Sequence, residues 1–96
     1  MSGEEILSVL KQNKPLFESQ FGVKKIGLFG SYYSGKNTAA SDVDIFVELK
    51  EPRYDLLCKL WTFLETRLNK KVDLIRKGPH LSERFLQSIE KQIIYA

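Results

Sequence analysis

Two apolar strand patterns stand on either side of a connector too short to let them run in the same direction. Lys24 to Phe29 and Asp42 to Leu49 both alternate apolar and polar side chains, the signature of half-buried strands. Gly30 to Ala40 joins them. A parallel crossover usually contains a full helix, so this spacing predicts an antiparallel pair. Alternation then sorts the side chains. Ile26, Leu28, Val43, Ile45, Val47 and Leu49 fall on one face. Lys25, Gly27, Phe29, Asp42, Asp44, Phe46 and Glu48 fall on the other.

The flanking segments supply helices. Ser2-Gly3-Glu4-Glu5 has the spacing of a capping box, followed by Ile6, Leu7 and Leu10 at helical intervals. Pro15 suits the first turn of a second helical piece, which carries Leu16, Phe17 and Phe21 and stops at Gly22. Tyr54 to Leu68 reads as the longest helix, with Leu57, Leu60, Trp61, Leu64 and Leu68 on one stripe and Asn69 as its stop. Lys71 to Ile75 alternates as a third strand, and Gly78-Pro79 breaks it. The long helix before it allows this strand to lie parallel to the second. Leu81 to Ile93 is expected to form a last amphipathic helix, using Phe85, Leu86, Ile89 and Ile93. The apolar ending Ile93-Ile94-Tyr95 either packs back on the core or meets a partner. The expected architecture is α+β: a small mixed β-sheet with helices packed on one face, in a single domain over residues 1–96.

Composition excludes several classes. The chain has 96 residues, 43% of them hydrophobic and 28% charged, which suits one small globular domain and not a disordered chain. The net charge is +3 with no basic run, so direct nucleic-acid binding is not expected. Cys58 is the sole cysteine, which forbids an internal disulfide and fits a reducing cytoplasm. Met1 to Val9 carries acids and does not read as a signal peptide, and no apolar run approaches the roughly 20 residues that span a bilayer.

The open face is where chemistry is expected. Asp42 and Asp44, two apart on a strand, share a face at about 6–7 Å. Two such charges repel by roughly 2–3 kcal/mol at an effective dielectric near 20. Asp73 adds a third carboxylate from the third strand. Aspartate disfavours strands, and three on one otherwise apolar sheet are hard to explain as ordinary solvated positions. A bound cation would remove the repulsion, and Mg²⁺ prefers a small number of carboxylates together with substrate phosphates. Two such ions can serve an in-line phosphoryl displacement. A calcium loop fits poorly, because Asp42-x-Asp44-x-Phe46 lacks the third oxygen ligand and the turn glycine.

Gly30-Ser31 is the second element. A small turn that ends a strand and opens a helical turn presents backbone N–H groups to a phosphate. Gly30-x-x-x-x-Gly35-Lys36 nearly matches a P-loop, but Asn37 stands where Ser or Thr should hold Mg²⁺, and the next strand follows too soon for the required helix. His80 reads as a loop residue, Cys58 and Trp61 as structural. Lys24, Lys25, Lys70, Lys71, Arg76 and Lys77 read as a solvated rim around the strand ends.

Gly30-Ser31, ten residues, then Asp42-x-Asp44, with Asp73 in a later Val-Asp-Leu strand, resembles the nucleotidyltransferase superfamily related to DNA polymerase β. The short length and the Lys-Pro…Gly-Val…Leu-Phe-Gly-Ser run resemble its minimal bacterial and archaeal members. The resemblance implies a palm-like nucleotidyltransferase fold. It implies that Gly30 and Ser31 hold the triphosphate of ATP or another nucleotide. It implies that Asp42 and Asp44 coordinate two Mg²⁺ ions, and that Asp73 helps hold a metal and activates the acceptor hydroxyl. Members often carry Ala-Arg-Gly after the aromatic residue, where this chain has Tyr33-Ser34-Gly35; Lys36 is then the nearest cation for the phosphates. The resemblance further implies transfer of a nucleoside monophosphate, with AMP added to a HEPN-type toxin for which the chain is the antitoxin. A partner or a second copy would complete so small a site. A non-catalytic module that neutralises a toxin by binding, and a transferase acting on a small molecule, stand as alternatives.

Overall fold

The computed structural model describes residues 1–96. Its opening helix, α1 (Gly3–Gln12), starts as the sequence predicts: Ser2 Oγ accepts from the Glu5 amide at 3.2 Å, and the Ser2 amide donates to Glu5 Oε1 at 3.1 Å. α2 (Lys14–Phe21) follows with Pro15 in its first turn and Gly22 closing it in the left-handed region at φ +64°. β1 (Val23–Phe29) leads into a one-turn helix, α3 (Ser31–Ser34), and then β2 (Val43–Leu49). α4 (Tyr54–Leu68) ends at Asn69, whose φ of +52° is tolerated by its short polar side chain. β3 (Val72–Arg76), α5 (Glu83–Glu90) and β4 (Ile93–Tyr95) complete the chain.

The four strands form one sheet in the order β3-β2-β1-β4. β2 runs antiparallel to β1 and parallel to β3, as the two connector lengths require. β1 contains an irregularity between Val23 and Lys25. The extra residue lets both Lys24 and Lys25 face solvent and returns Val23 to the core side, where strict alternation would have turned it outward.

α1, α2 and α4 cover one face. Ile6, Leu10, Phe17, Leu57, Leu60, Leu64 and Leu68 share a cluster with Ile26, Leu28, Val43, Ile45, Val47, Val72 and Leu74. Phe17 and Phe63 meet edge to face at 5.6 Å between ring centres, a favoured aromatic geometry.

One expectation fails at the C-terminal end. The last helix stops at Glu90 and does not reach Ile93. Ile93–Tyr95 instead forms β4, antiparallel to β1, with Ile94 opposite Leu28. Trp61, Lys91 and Gln92 mark what the pattern could not resolve. Lys91 and Gln92 are good helix formers, so nothing local stops α5; the open edge of β1 stops it by offering backbone partners. Trp61 is half-buried and polar in its bonding, as described below, and is more than a core side chain. The face opposite the helices is also less bare than alternation suggested. Phe46 is 2% exposed and, with Ile89, lies outside the helix-side cluster. A Cβ at Gly27 would come within 2.8 Å of the Ile93 side chain, so Gly27 is the position at which Ile93 is let down onto this face.

Candidate active site

The C-terminal end of β1 and the N-terminal ends of β2 and β3 meet at one edge of the sheet. Phe29 lies opposite Asp44, and Asp44 is the parallel partner of Asp73. Neighbouring strands stand about 4.8 Å apart, so the two aspartates share one face side by side. Asp42 immediately precedes β2. Its approach is fixed by a compact turn: Ser41 Oγ accepts from the Thr38 amide at 2.8 Å, and the Ser41 amide donates to the Thr38 carbonyl at 3.1 Å. Asp42 and Asp44 are half-buried and Asp73 is exposed.

No cation of the chain answers these carboxylates. The ion pairs lie elsewhere, with Lys24 and Lys77 on Glu48 and Arg53 on Asp55. The Asp44 carboxyl is therefore held above its ordinary value. Burial is the largest cause, followed by the charges of Asp73 and Asp42.

Gly30 joins this group through close packing. Its φ of +75° and ψ of −146° lie where side-chain-bearing residues are strongly disfavoured. A Cβ there would overlap the Asp44 carboxylate oxygen and come within 2.8 Å of Asp44 Cγ. The Gly30 carbonyl caps α3 from within, accepting from the Tyr33 and Ser34 amides at 3.1 and 3.0 Å. The amides at the start of a helix have no carbonyl ahead of them, so those of Ser31 and Tyr32 stand at the turn that touches Asp44.

The structure thus brings together Asp42, Asp44, Asp73, Gly30 and Ser31. Lys36 follows Gly35 at the other end of α3, is exposed, and forms no ion pair; its amide donates to the Ser31 carbonyl at 3.0 Å.

Two residues outside the sequence-derived set also matter. Trp61 Nε1 donates to the Val72 carbonyl at 2.7 Å, and Glu65 Oε2 accepts from the Val72 amide at 2.9 Å. Both come from α4 and grip the residue just before Asp73. The sequence held one clue: an indole N–H on an apolar stripe needs an acceptor.

The donor set suits a hard cation. It is all carboxylate, it carries unanswered charge, and a glycine turn abuts it. No three His, Cys, Asp or Glu side chains converge tightly enough to cage an ion by themselves. Mg²⁺ does not require such a cage, because it is usually held by one or two carboxylates together with substrate phosphates and water.

A mixed sheet with carboxylates at its strand ends and a glycine turn packed against them suits phosphoryl transfer of the nucleotidyltransferase type. The family model described as polymerase beta, nucleotidyltransferase, matches residues 8–96, and the chain belongs to that family. It is similar to the protein adenylyltransferase MntA of Thermococcus cleftensis, with 37% identity over 93 residues, covering 96% of this chain and 93% of that one. A toxin–antitoxin crystal structure with AMP-PNP contains a chain of 26% identity that superposes with a TM-score of 0.68, covering 99% of this chain and 72% of that one. A minimal nucleotidyltransferase structure of 24% identity shares the fold, with a TM-score of 0.82 over 98% of this chain and 95% of that one.

Proposed function

We propose that this nucleotidyltransferase moves AMP from ATP to a hydroxyl of a partner protein, and that the partner is a HEPN-type toxin for which the chain is the antitoxin. The observation that carries this reading is the undisturbed grouping of Asp42, Asp44 and Asp73 behind Gly30-Ser31. The full-length similarity to a protein adenylyltransferase supports the choice of acceptor class.

Each residue has a role in this reading. The Ser31 and Tyr32 amides and the Ser31 hydroxyl bind the nucleotide phosphates. Asp42, Asp44 and Asp73 are the residues that would hold Mg²⁺. When bound, Mg²⁺ neutralises charge on the carboxylates and the triphosphate and polarises the phosphoryl oxygens. Asp73, exposed on the neighbouring strand, accepts the proton of the incoming hydroxyl. A bond forms between that oxygen and the α-phosphorus, the α–β phosphoanhydride bond breaks, and pyrophosphate leaves. Asp44 packed on Gly30 keeps the phosphate turn and the carboxylates in one fixed relation, which supplies the positioning such a reaction depends on. The cytoplasm is the proposed location. Cys58 is a free thiol, and no helix is long and apolar enough to cross a membrane.

The test uses α-labelled ATP, Mg²⁺ and the product of the adjacent gene. Transfer of label to that protein, lost in Asp42→Asn, is the expected result. No transfer from any nucleotide while the partner remains bound refutes the reading and favours neutralisation by binding alone.

A further inference from the structure

β3 is an edge strand, and α4 supplies the backbone partners that β3 lacks. In a parallel ladder, alternate residues direct both backbone groups to the same side. Lys71 and Lys77 face β2: the Lys71 carbonyl accepts from the Val43 amide at 2.9 Å, and the Lys77 amide donates to the Val47 carbonyl at 2.8 Å. Val72, one residue on, therefore directs its N–H and C=O to the open edge. Glu65 and Trp61, four apart and on one side of α4, take both, at 2.9 and 2.7 Å. The peptide unit between Lys71 and Val72 is held by Val43 on one side and Glu65 on the other. The peptide unit between Val72 and Asp73 has its carbonyl held by the indole. Asp73 follows directly, in register with Asp44.

We infer that Trp61 and Glu65 are positioning residues for Asp73: they clamp Val72 and so set the spacing of the Asp44–Asp73 pair that receives the divalent ion. The inference rests on the proposed metal-binding role of these aspartates. Supporting groups behind metal ligands commonly change metal affinity by about 10-fold or more when removed. The two side chains are not interchangeable with apolar ones of similar size. Only an acceptor at 65 and a donor at 61 satisfy the two orphaned groups of the edge.

The experiment measures Mn²⁺ binding to the intact chain in the presence of a non-hydrolysable ATP analogue, together with hydrogen exchange at the Asp73 amide and thermal unfolding. Glu65→Ala and Trp61→Phe should each weaken Mn²⁺ binding by about 10-fold and speed Asp73 exchange. Glu65→Gln keeps an acceptor oxygen and should bind within about two-fold of the unaltered chain, as conservative retention of the hydrogen bond requires. Leu57→Ala truncates a core side chain elsewhere on α4 and should lower the melting temperature without moving either readout. Unchanged Mn²⁺ affinity in both Glu65→Ala and Trp61→Phe overturns the inference, and so does an equal loss in Leu57→Ala. If Glu65→Ala does not fold, Trp61→Phe decides alone. Failure of the parent reading looks different. The unaltered chain then binds no divalent ion, and Asp73 exchange that is unmoved in both variants overturns the positioning role by itself.

Discussion

Replacing Gly30 with alanine tests the contact on which the site is built. Two effects add. The backbone at φ +75°, ψ −146° is essentially closed to a side chain, and holding alanine there costs on the order of 1–3 kcal/mol. The new methyl also overlaps the Asp44 carboxylate, and forcing extra volume into a packed contact costs typically about 1–3 kcal/mol. The expected loss is therefore about 2–6 kcal/mol. For a chain of this size each kcal/mol moves the melting temperature by about 5 °C, so the midpoint should fall by at least about 5 °C. Alanine usually stabilises relative to glycine through the unfolded state, by about 0.4–1 kcal/mol, and that gain is too small to reverse the sign. A double-mutant cycle with Asp44→Ala separates the two effects. Removing the carboxylate removes the overlap, so Gly30→Ala should cost about 1–3 kcal/mol less in the Asp44→Ala background. Urea unfolding of the four proteins gives the cycle directly. Equal costs in both backgrounds, to within about 0.5 kcal/mol, would refute the contact; so would a Gly30→Ala variant as stable as the parent.

Further outcomes follow from the same geometry. Asp44→Asn should abolish transfer yet raise the stability of the metal-free chain, since it deletes a charge crowded by Asp73 and Asp42. The sign with pH is fixed by the raised Asp44 value. The folded chain holds this proton more tightly than the unfolded one, so the group lowers stability as pH rises from 3.8 through the raised folded value. The stability gap between Asp44→Asn and the parent should hence close on acidification, and a gap independent of pH in urea titrations would count against it. Mg²⁺ at a hundred times its dissociation constant should stabilise the parent by about 2.7 kcal/mol, read as a thermal shift that Asp44→Asn loses. Gly27→Val should detach β4, because the side chain would meet Ile93 and the Ile94 carbonyl; faster exchange of the Ala96 amide, which donates to Ile26, is the measure. Ser2→Ala should cost about 1 kcal/mol by removing the α1 cap, seen in the urea midpoint.

Much of the site was legible because strand alternation is a strong local signal. Val43, Ile45 and Val47 against Asp44 required only a period of two, and Val72 and Leu74 against Asp73 repeated it. The connector length fixed the pairing sense. Three features were beyond this reading. The double lysine at 24 and 25 gave no sign of the bulge that returns Val23 to the core. Ile93 satisfied a helical period as well as a strand, and the choice was made by the distant edge of β1. The grip of Trp61 and Glu65 on Val72 depends on how α4 lies over β3, a tertiary fact with no spacing of its own.

The parallel pairing of Asp44 with Asp73 also has a kinetic meaning. These side chains are far apart in the unfolded chain, and their repulsion enters only as β3 docks beside β2. Without a cation, the docking of this edge strand is opposed, and its opening is correspondingly favoured. β3 should open more readily without the ion than with it. A divalent ion at the pair then acts as a latch on the edge of the sheet, slowing unfolding more than it speeds folding. The same two carboxylates would join catalysis to the lifetime of the native state.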